Sequence, residues 1–149
     1  MVEEAKVPLA ERASNIALQC QWVVIDFTAA FDDGNHEEMV RNMAPDGIWK
    51  RADGEIRGHD ALRTFMARRP AGLLVRHVLS NLRTRLVSPE DAIVESYVTA
   101  YRHESPQRLD APAPLPGPHV VGRYRDELRL VDGEWKLACR QVYVDFKHP

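Results

Sequence analysis

The chain changes its hydrophobic period part-way along its length, and this switch limits the folds that it can adopt. Over roughly the first 30 residues, apolar side chains recur at steps of three and four, the spacing of one helix face: Ala13, Ile16, Ala17, Cys20, Val23, Val24, Phe27, Ala30 and Phe31. From Leu73 onward, apolar residues recur in long runs with the two-residue alternation of strands. A long helix followed by a run of strands predicts an α+β fold.

Shorter helical elements lie between these two regions. The long helix is predicted to run from near Leu9 to the turn Asp32-Asp33-Gly34, where the glycine ends it. Asn35 is suited to cap a second helix from His36 to about Met43, which Pro45-Asp46-Gly47 should end. A third helix is predicted over residues 59–69, before Pro70 and Gly72.

Turn signals also define the strands. Asp53-Gly54 lies between the short runs 48–51 and 55–57, which predicts a hairpin. Tight turns at 88–91 and 132–133 predict two antiparallel pairs, from strands over 74–87, 92–103, 119–131 and 134–146. Because 149 residues leave no room for two ordinary cores, we expect a single domain, 1–149, with a bent antiparallel sheet covered by helices on one face.

The segment from Ser105 to Pro118 contains five prolines and cannot be a central strand. Such composition favours extended polyproline conformations. The simplest interpretation is a long exposed loop between two strands. The alternative is a flap over the mouth of a pocket.

Composition excludes several classes of protein. With 20 Lys and Arg against 22 Asp and Glu, the net charge is −2, so the basic surplus typical of nucleic-acid binding is missing. No apolar run approaches the roughly 20 residues of a spanning helix, and the acidic start is unlike a secretory signal. We therefore expect a cytoplasmic protein that binds neither nucleic acid nor membrane, with Cys20 and Cys139 as small buried hydrophobic residues.

The usual cofactor motifs are missing from the sequence. His36-Glu37-Glu38 resembles the start of HExxH, but Val40 stands where the second histidine would be. There is no GxGxxG, GxxxxGK[ST] or GxSxG motif. We expect no cofactor and no metal, so any chemistry would use ordinary side chains.

Two residues are candidates for acid–base chemistry. His77 alternates with Val75 and Leu79, so its imidazole should share their apolar face, where burial could tune it as a general base. Asp32 lies at the predicted end of the long helix. Each also has an ordinary structural interpretation, His77 as a hydrogen-bonded core histidine and Asp32 as a turn residue that bonds its own backbone.

Taken in order, five short segments resemble the SnoaL-like branch of the nuclear transport factor 2-like superfamily. They extend over nearly the whole chain: Phe31-Asp32-Asp33-Gly34-Asn35-His36-Glu37-Glu38, Ala44-Pro45-Asp46-Gly47-Ile48-Trp49, Glu55-Ile56-Arg57-Gly58-His59-Asp60-Ala61-Leu62, Arg76-His77-Val78-Leu79-Ser80-Asn81, and Gly122-Arg123-Tyr124 through Asp132-Gly133-Glu134-Trp135-Lys136-Leu137.

The resemblance implies a cone-shaped α+β barrel, in which three N-terminal helices pack on a strongly curved mixed or antiparallel sheet around a deep apolar cavity. The branch is similar to scytalone dehydratases, bile-acid dehydratases and hexachlorocyclohexane dehydrochlorinases. Several of these use an aspartate at the end of the first helix and a histidine on the first long strand, without a metal. The resemblance thus implies Asp32 and His77 as a catalytic dyad.

The sequence departs from this pattern at one point. The dehydratases often carry a tyrosine one helical turn before the aspartate, where this chain has Phe27 and Thr28. A substitute hydroxyl could come from one of four tyrosines, and alternation does not decide between them: Tyr97, Tyr101, Tyr124 and Tyr143.

Four arginines of the last two strands are also candidate ligands for an anionic substrate: Arg123, Arg125, Arg129 and Arg140. The simpler interpretation is that they are solvated charges of the sheet face, paired with Asp126, Glu127 or Asp145.

Three functions remain open on the sequence. The first is a cofactor-independent lyase or isomerase, of dehydratase or dehydrohalogenase type, acting on a small apolar cyclic or aromatic substrate. The second is a non-catalytic binder of an apolar ligand. The third is a structural subunit akin to the small subunit of aromatic-ring dioxygenases. Because helices can cover only one face of the sheet, the other face predicts a homodimer or homotrimer.

Overall fold

The computed structural model describes residues 7–149. Its three helices lie in the first half of the chain: α1 Leu9–Asp33, α2 His36–Asn42 and α3 Gly58–Ala67. Its six strands are β1 Met43–Arg51, β2 Gly54–Arg57, β3 Gly72–Ser88, β4 Asp91–Ser105, β5 Val120–Val131 and β6 Glu134–Lys147. The order of elements agrees with the prediction from hydrophobic period.

The ends of the first two helices follow from local chemistry. Gly34 takes a left-handed conformation with φ of 71°, and the amides of Gly34 and Asn35 donate to the carbonyls of Phe31 and Ala30 at 3.1 and 2.8 Å. The Asn35 side chain then caps α2 by accepting from the Glu38 amide at 3.2 Å. Asp32 therefore lies in the last turn of α1, as predicted.

The turn predicted to end the second helix was wrong, although the helix ends one residue from the predicted Met43. It ends at Asn42, and the Pro45-Asp46-Gly47 segment lies inside β1, whose pairing with β6 shifts register between Met43 and Ile48. A Cβ atom at Gly47 would lie 2.6 Å from Cγ of Met43, so this irregular stretch of strand requires glycine. The third helix is also shorter than predicted, ending at Ala67 instead of Arg69.

The strands form one mixed sheet in the order β2-β1-β6-β5-β4-β3. The predicted pairs β3–β4 and β5–β6 are present and antiparallel, as are β1–β2 and β4–β5. One pair, β1–β6, is parallel, and it joins the early hairpin to the four long strands. Turn signals report only sequential neighbours, so the sequence did not predict this pairing.

The sheet curves around α1. The β3–β4 register is irregular between Ser80 and Arg83, with Asn81 at a φ of 53°, and irregularities of this kind bend a strand and increase its twist. The hydrophobic core fills the space between the helices and the concave face, and Phe27, Leu62 and Leu137 are fully buried there. Within residues 7–149, no helix combines the length and the apolar character needed to cross a bilayer.

Candidate active site

Asp32 and His77 meet at the end of α1. Nδ1 of His77 lies 2.6 Å from Oδ1 of Asp32, and the His77 backbone amide donates to Oδ2 of the same carboxylate at 2.8 Å. Both side chains are mostly buried, with 14% of His77 and 8% of Asp32 exposed. A carboxylate only accepts hydrogen bonds, so Nδ1 of His77 is the donor in this contact, and in the neutral form of the ring Nε2 is the acceptor.

The end of α1 that carries Asp32 is held in place by an arginine. Arg69, just beyond α3, donates from its two terminal nitrogens to the carbonyls of Phe31 and Asp32 at 2.7 and 2.9 Å. These carbonyls belong to the last turn of α1, where carbonyls lack the usual i+4 helical donors and a cation is favoured. The Phe31 carbonyl also accepts from the Gly34 amide. The absence of a side chain at Gly34 makes room, because a Cβ there would lie 3.3 Å from Nε of Arg69.

His77 projects from β3 toward the helices, on the same inward face as Val75, as alternation predicted. The Phe31 ring packs edge-on against the imidazole with centroids 5.5 Å apart. The imidazole is therefore fixed both by the Asp32 carboxylate and by an aromatic wall.

A cavity of about 390 Å³ lies beside this pair and includes His77 in its wall. Nine of the sixteen lining residues are apolar: Phe31, Trp49, Ala52, Val75, Val98, Ala100, Val120, Val142 and Val144. The polar members are Arg51, Asp53, His77, Arg102, His119, Tyr124 and Lys147. Asp32 does not line the cavity and lies behind His77. None of residues 106–118 lines it either, which favours the interpretation of the proline-rich segment as an exposed loop.

Of the four candidate tyrosines, only Tyr124 lines this cavity. It is 6% exposed, whereas Tyr97 and Tyr143 are 46% and 42% exposed. Burial raises the pKa of Tyr124 to about 12, although the nearby Arg140 acts in the opposite direction. The phenol is therefore neutral at ordinary pH and able to donate a hydrogen bond.

The prediction that Arg140 is a solvated charge of the sheet face was wrong. Arg140 does pair with Asp126, but both are fully buried, and the contact is bidentate at 2.7 and 2.9 Å. A third nitrogen of the guanidinium donates to Oγ1 of Thr28 at 3.0 Å. Burial lowers the pKa of Arg140, but the Asp126 carboxylate more than compensates, so the net shift is upward.

This buried pair packs against Tyr124, which lines the cavity. The Arg140 guanidinium lies 4.2 Å from the Tyr124 ring centroid and 5.1 Å from that of Phe27. Residues 124, 126 and 128 share the inward face of β5 by alternation, a signal that would have revealed Asp126 as an inward carboxylate. The other three arginines form exposed pairs. Arg123 with Asp145 and Arg125 with Glu127 agree with the prediction, whereas Arg129 pairs with Asp46, which was not among the predicted partners.

Phe27 and Thr28, which replace the tyrosine of the related pattern, are both buried away from the cavity. Phe27 packs edge-on against Trp49 at 5.6 Å, and the Thr28 hydroxyl donates to the Val24 carbonyl at 2.8 Å. Neither presents a hydroxyl to a ligand. Across residues 7–149, no three His, Cys, Asp or Glu side chains come together in a group that could hold a metal ion.

The family model described as a SnoaL-like domain matches residues 14–141 of the sequence. The chain belongs to the SnoaL-like family. This membership agrees with the resemblance inferred from the sequence segments. A comparison with curated proteins finds no significant match.

Solved structures of SnoaL-like shape superpose on most of the chain. One is a Novosphingobium aromaticivorans protein provisionally named a scytalone dehydratase, with a TM-score of 0.72, 20% identity, and coverage of 94% of this chain and 91% of that one. A second is a type 2 hexachlorocyclohexane dehydrochlorinase, LinA, with a TM-score of 0.73, 18% identity, and coverage of 95% and 91%.

A third, from Catenulispora acidiphila, was solved in complex with S-DNPA, and has a TM-score of 0.68, 21% identity, and coverage of 89% and 95%. All three identities are low, so these likenesses concern the fold. They agree with the predicted cone-shaped α+β architecture of the SnoaL-like chain.

Proposed function

We propose that this SnoaL-like protein is a cofactor-independent lyase or isomerase, of dehydratase or dehydrohalogenase type, that acts on a small, largely apolar cyclic substrate. The observation that carries the proposal is the 2.6 Å contact between His77 and Asp32 at the wall of a cavity of about 390 Å³, in which nine of the sixteen lining residues are apolar. A general base must lie within reach of the proton that it removes. Of the two ring nitrogens of His77, Nδ1 is engaged by Asp32, so Nε2 is the one that can act as the base.

In the elimination, Nε2 of His77 takes a proton from a carbon next to an electron-withdrawing group. The electron pair of that C–H bond forms the new double bond, and the bond to a hydroxyl or halide on the neighbouring carbon breaks with its electrons. Asp32 stabilises the imidazolium that results and holds its ring orientation. In an isomerisation, the same base returns the proton to a different carbon.

We assign Tyr124 to stabilise the negative charge that develops on the substrate or on its leaving group. Its neutral hydroxyl can donate to a substrate carbonyl as negative charge develops there, or to a departing hydroxyl. The raised pKa keeps this proton in place at neutral pH. It would fill the role that Phe27 and Thr28 leave open.

The test is turnover by His77→Ala and Asp32→Asn on a panel of cyclic β-hydroxy ketones and chlorinated cyclohexanes. Enone absorbance reports loss of water, and released chloride reports dehydrohalogenation. We expect both variants to lose at least about 100-fold in kcat/KM, in the range typical of general-base removal. His36→Ala, an exposed histidine on α2, is the matched control. Full activity in both site variants would overturn the dyad.

The second candidate function is non-catalytic binding of an apolar ligand in the same cavity. The Catenulispora acidiphila structure, which holds S-DNPA on the same fold, favours it. A binder would keep its ligand affinity in His77→Ala and release the ligand chemically unchanged. Mass spectrometry of ligand recovered after incubation distinguishes the two functions.

We also propose that the outer face of the sheet joins two or three copies of the chain. Tyr97, Arg123 and Tyr143 lie side by side across β4, β5 and β6, and the two tyrosines are about half exposed. Arg123 lies 5.1 Å over the Tyr143 ring. Aromatic and arginine side chains are enriched at such interfaces. Light scattering should show a dimer or trimer that Tyr97→Glu with Tyr143→Glu converts to monomer, and a monomeric wild type would contradict this.

A further inference from the structure

A second cavity, of about 320 Å³, adjoins the first and has a different chemical character. The two share Phe31, Arg51 and Arg102 as lining residues. Four of the nine residues around the second cavity are arginines, and the others are apolar: Arg51, Arg68, Arg69 and Arg102, with Phe31, Phe65, Met66, Pro70 and Leu73. No acidic side chain lines it, although the chain as a whole carries a net charge of −2.

Arg51 lies at the junction of the two cavities. Its guanidinium is 4.9 Å from the Trp49 ring, in the first cavity, and 4.5 Å from the Phe65 ring, in the second. Stacking on two aromatic rings fixes the plane of a guanidinium while leaving its N–H groups at the edge free to donate. Only about a quarter of the side chain is exposed.

The acids paired with these arginines are exposed and leave donors unused. Arg51 contacts Asp53, whose side chain is 74% exposed, and Arg102 contacts Glu104, whose side chain is 54% exposed. A guanidinium has five N–H donors, and exposed ion pairs contribute little free energy. Arg51 and Arg102 can therefore each donate to an additional anion. Arg68 is exposed and forms no ion pair with any other residue between 7 and 149.

The arginines around the second cavity also affect the pKa values of neighbouring groups. Burial lowers the pKa of Arg69, the charge of Asp32 opposes this shift, and the charges of Arg102 and Arg76 add to it. On the side of the first cavity, the pKa of His119 is lowered by burial and then by Arg102 and Lys147. The cations around the two cavities therefore repel one another, and a bound anion would relieve that repulsion.

We propose that the second cavity binds a carboxylate or phosphate group of the substrate, whose apolar ring occupies the first cavity beside His77. The substrate class is then an amphipathic acid, with its anionic oxygens between Arg51, Arg68 and Arg102. This inference rests on the proposed function, because the bound acid is a substrate only if the protein is the proposed enzyme. The anion site itself is testable by binding alone.

The experiment measures binding by isothermal titration calorimetry with 2-naphthylacetate, its neutral isostere 2-naphthylacetamide, and 2-naphthyl phosphate. Both the wild type and His77→Ala are used, so that a failure of the dyad does not affect the result. We expect the acid to bind at least about tenfold more tightly than the amide, as charge-assisted hydrogen bonds to arginine predict. The phosphate arm shows which anion the site prefers.

Variants locate the site. Arg102→Gln and Arg68→Gln should each weaken binding of the acid about three- to tenfold and leave binding of the amide unchanged. Arg125→Gln is the matched control, because Arg125 pairs with a glutamate two residues along its strand as Arg102 does, but lines neither cavity. Arg68 has no ion pair to lose, so its variant also covers the event that Arg102→Gln fails to fold.

Three results would overturn the anion site: equal affinity for acid and amide, an equal loss in Arg125→Gln, or no binding of the acid at millimolar concentration. By contrast, tight acid binding without turnover of any tested compound would leave the anion site standing and remove the proposed lyase activity.

Discussion

The Asp32 carboxylate accepts two hydrogen bonds from one residue, the backbone amide and the Nδ1–H of His77. Each carboxylate oxygen has one of these donors, so the position of the strand and the tautomer of the ring are set together. The contact joins the end of α1 to β3 through two residues that lie 45 positions apart in the chain. The same group therefore serves both the fold and the proposed chemistry.

Asp32→Asn should impair both. The Asn side chain offers one carbonyl oxygen as acceptor and one NH2 group as donor. If the NH2 group faces Nδ1, the ring proton must move to Nε2. If the oxygen faces Nδ1, the NH2 group faces the backbone N–H of His77, which is also a donor. We expect kcat/KM to fall by about 100-fold or more and the free energy of unfolding to fall by about 1–3 kcal/mol. Urea denaturation with steady-state kinetics measures both. Unchanged stability would contradict the double role.

Replacing Arg69 should loosen the end of α1. Arg69→Met removes the donors to the Phe31 and Asp32 carbonyls, and we expect a loss of about 1–3 kcal/mol in the free energy of unfolding. The adjacent Arg68→Met changes an exposed side chain and should cost less than about 0.5 kcal/mol. Urea denaturation of the two variants makes the comparison, and equal losses would count against the capping role.

The buried pair of Asp126 and Arg140 predicts a pH-dependent variant. Arg140→Met leaves Asp126 buried without its partner, at a cost of about 3–5 kcal/mol near neutral pH. Burial raises the pKa of Asp126. In the variant this folded-state pKa lies above the unfolded value, so protonation favours the folded state. The loss relative to wild type should therefore shrink as pH falls toward the unfolded value and grow as pH rises through the folded one.

Thermal denaturation of Arg140→Met between pH 4 and pH 8 tests this sign. Arg125→Met, which breaks an exposed pair on the same sheet, is the control and should show no such trend. A loss of stability that stays constant across this pH range would contradict an ionisable Asp126 as its source.

Tyr124→Phe separates the hydroxyl from the ring. The ring remains on the Arg140 guanidinium, so the free energy of unfolding should change by less than about 0.5 kcal/mol. If the hydroxyl stabilises developing charge, kcat should fall by about 10- to 100-fold with little change in KM. Tyr97→Phe, on the outer face, should leave kinetics unchanged. An equal effect of both substitutions would remove Tyr124 from the mechanism.

The sequence predicts best where local physics decides the structure. Three- and four-residue spacing with Gly34 predicted the helix that ends beside Asp32, and two-residue alternation placed His77 on the inward face. The location of both residues followed from these patterns. That they touch came from the family resemblance, because spacing along the chain carries no distance between an early helix and a later strand.

What the sequence did not predict depends on contacts between distant segments. Asp126 and Arg140 are direct partners across β5 and β6, and the burial of that pair comes from α1 packing over it. Arg69 caps the carbonyls of Asp32 and Phe31, which lie 37 and 38 positions before it in the chain. The parallel β1–β6 pair and the irregular strand around Gly47 likewise follow from packing, which overrides the turn signal of Pro45-Asp46-Gly47.

The parallel pairing of β1 with β6 has a consequence for biosynthesis. β6 follows every other strand in the chain, yet it lies in the interior of the sheet between β1 and β5. It also supplies Val142, Val144 and Lys147 to the first cavity. During translation, the early hairpin gains a neighbouring strand only once β6 has been synthesised, so the ligand chamber cannot close before the residues of β6 are available.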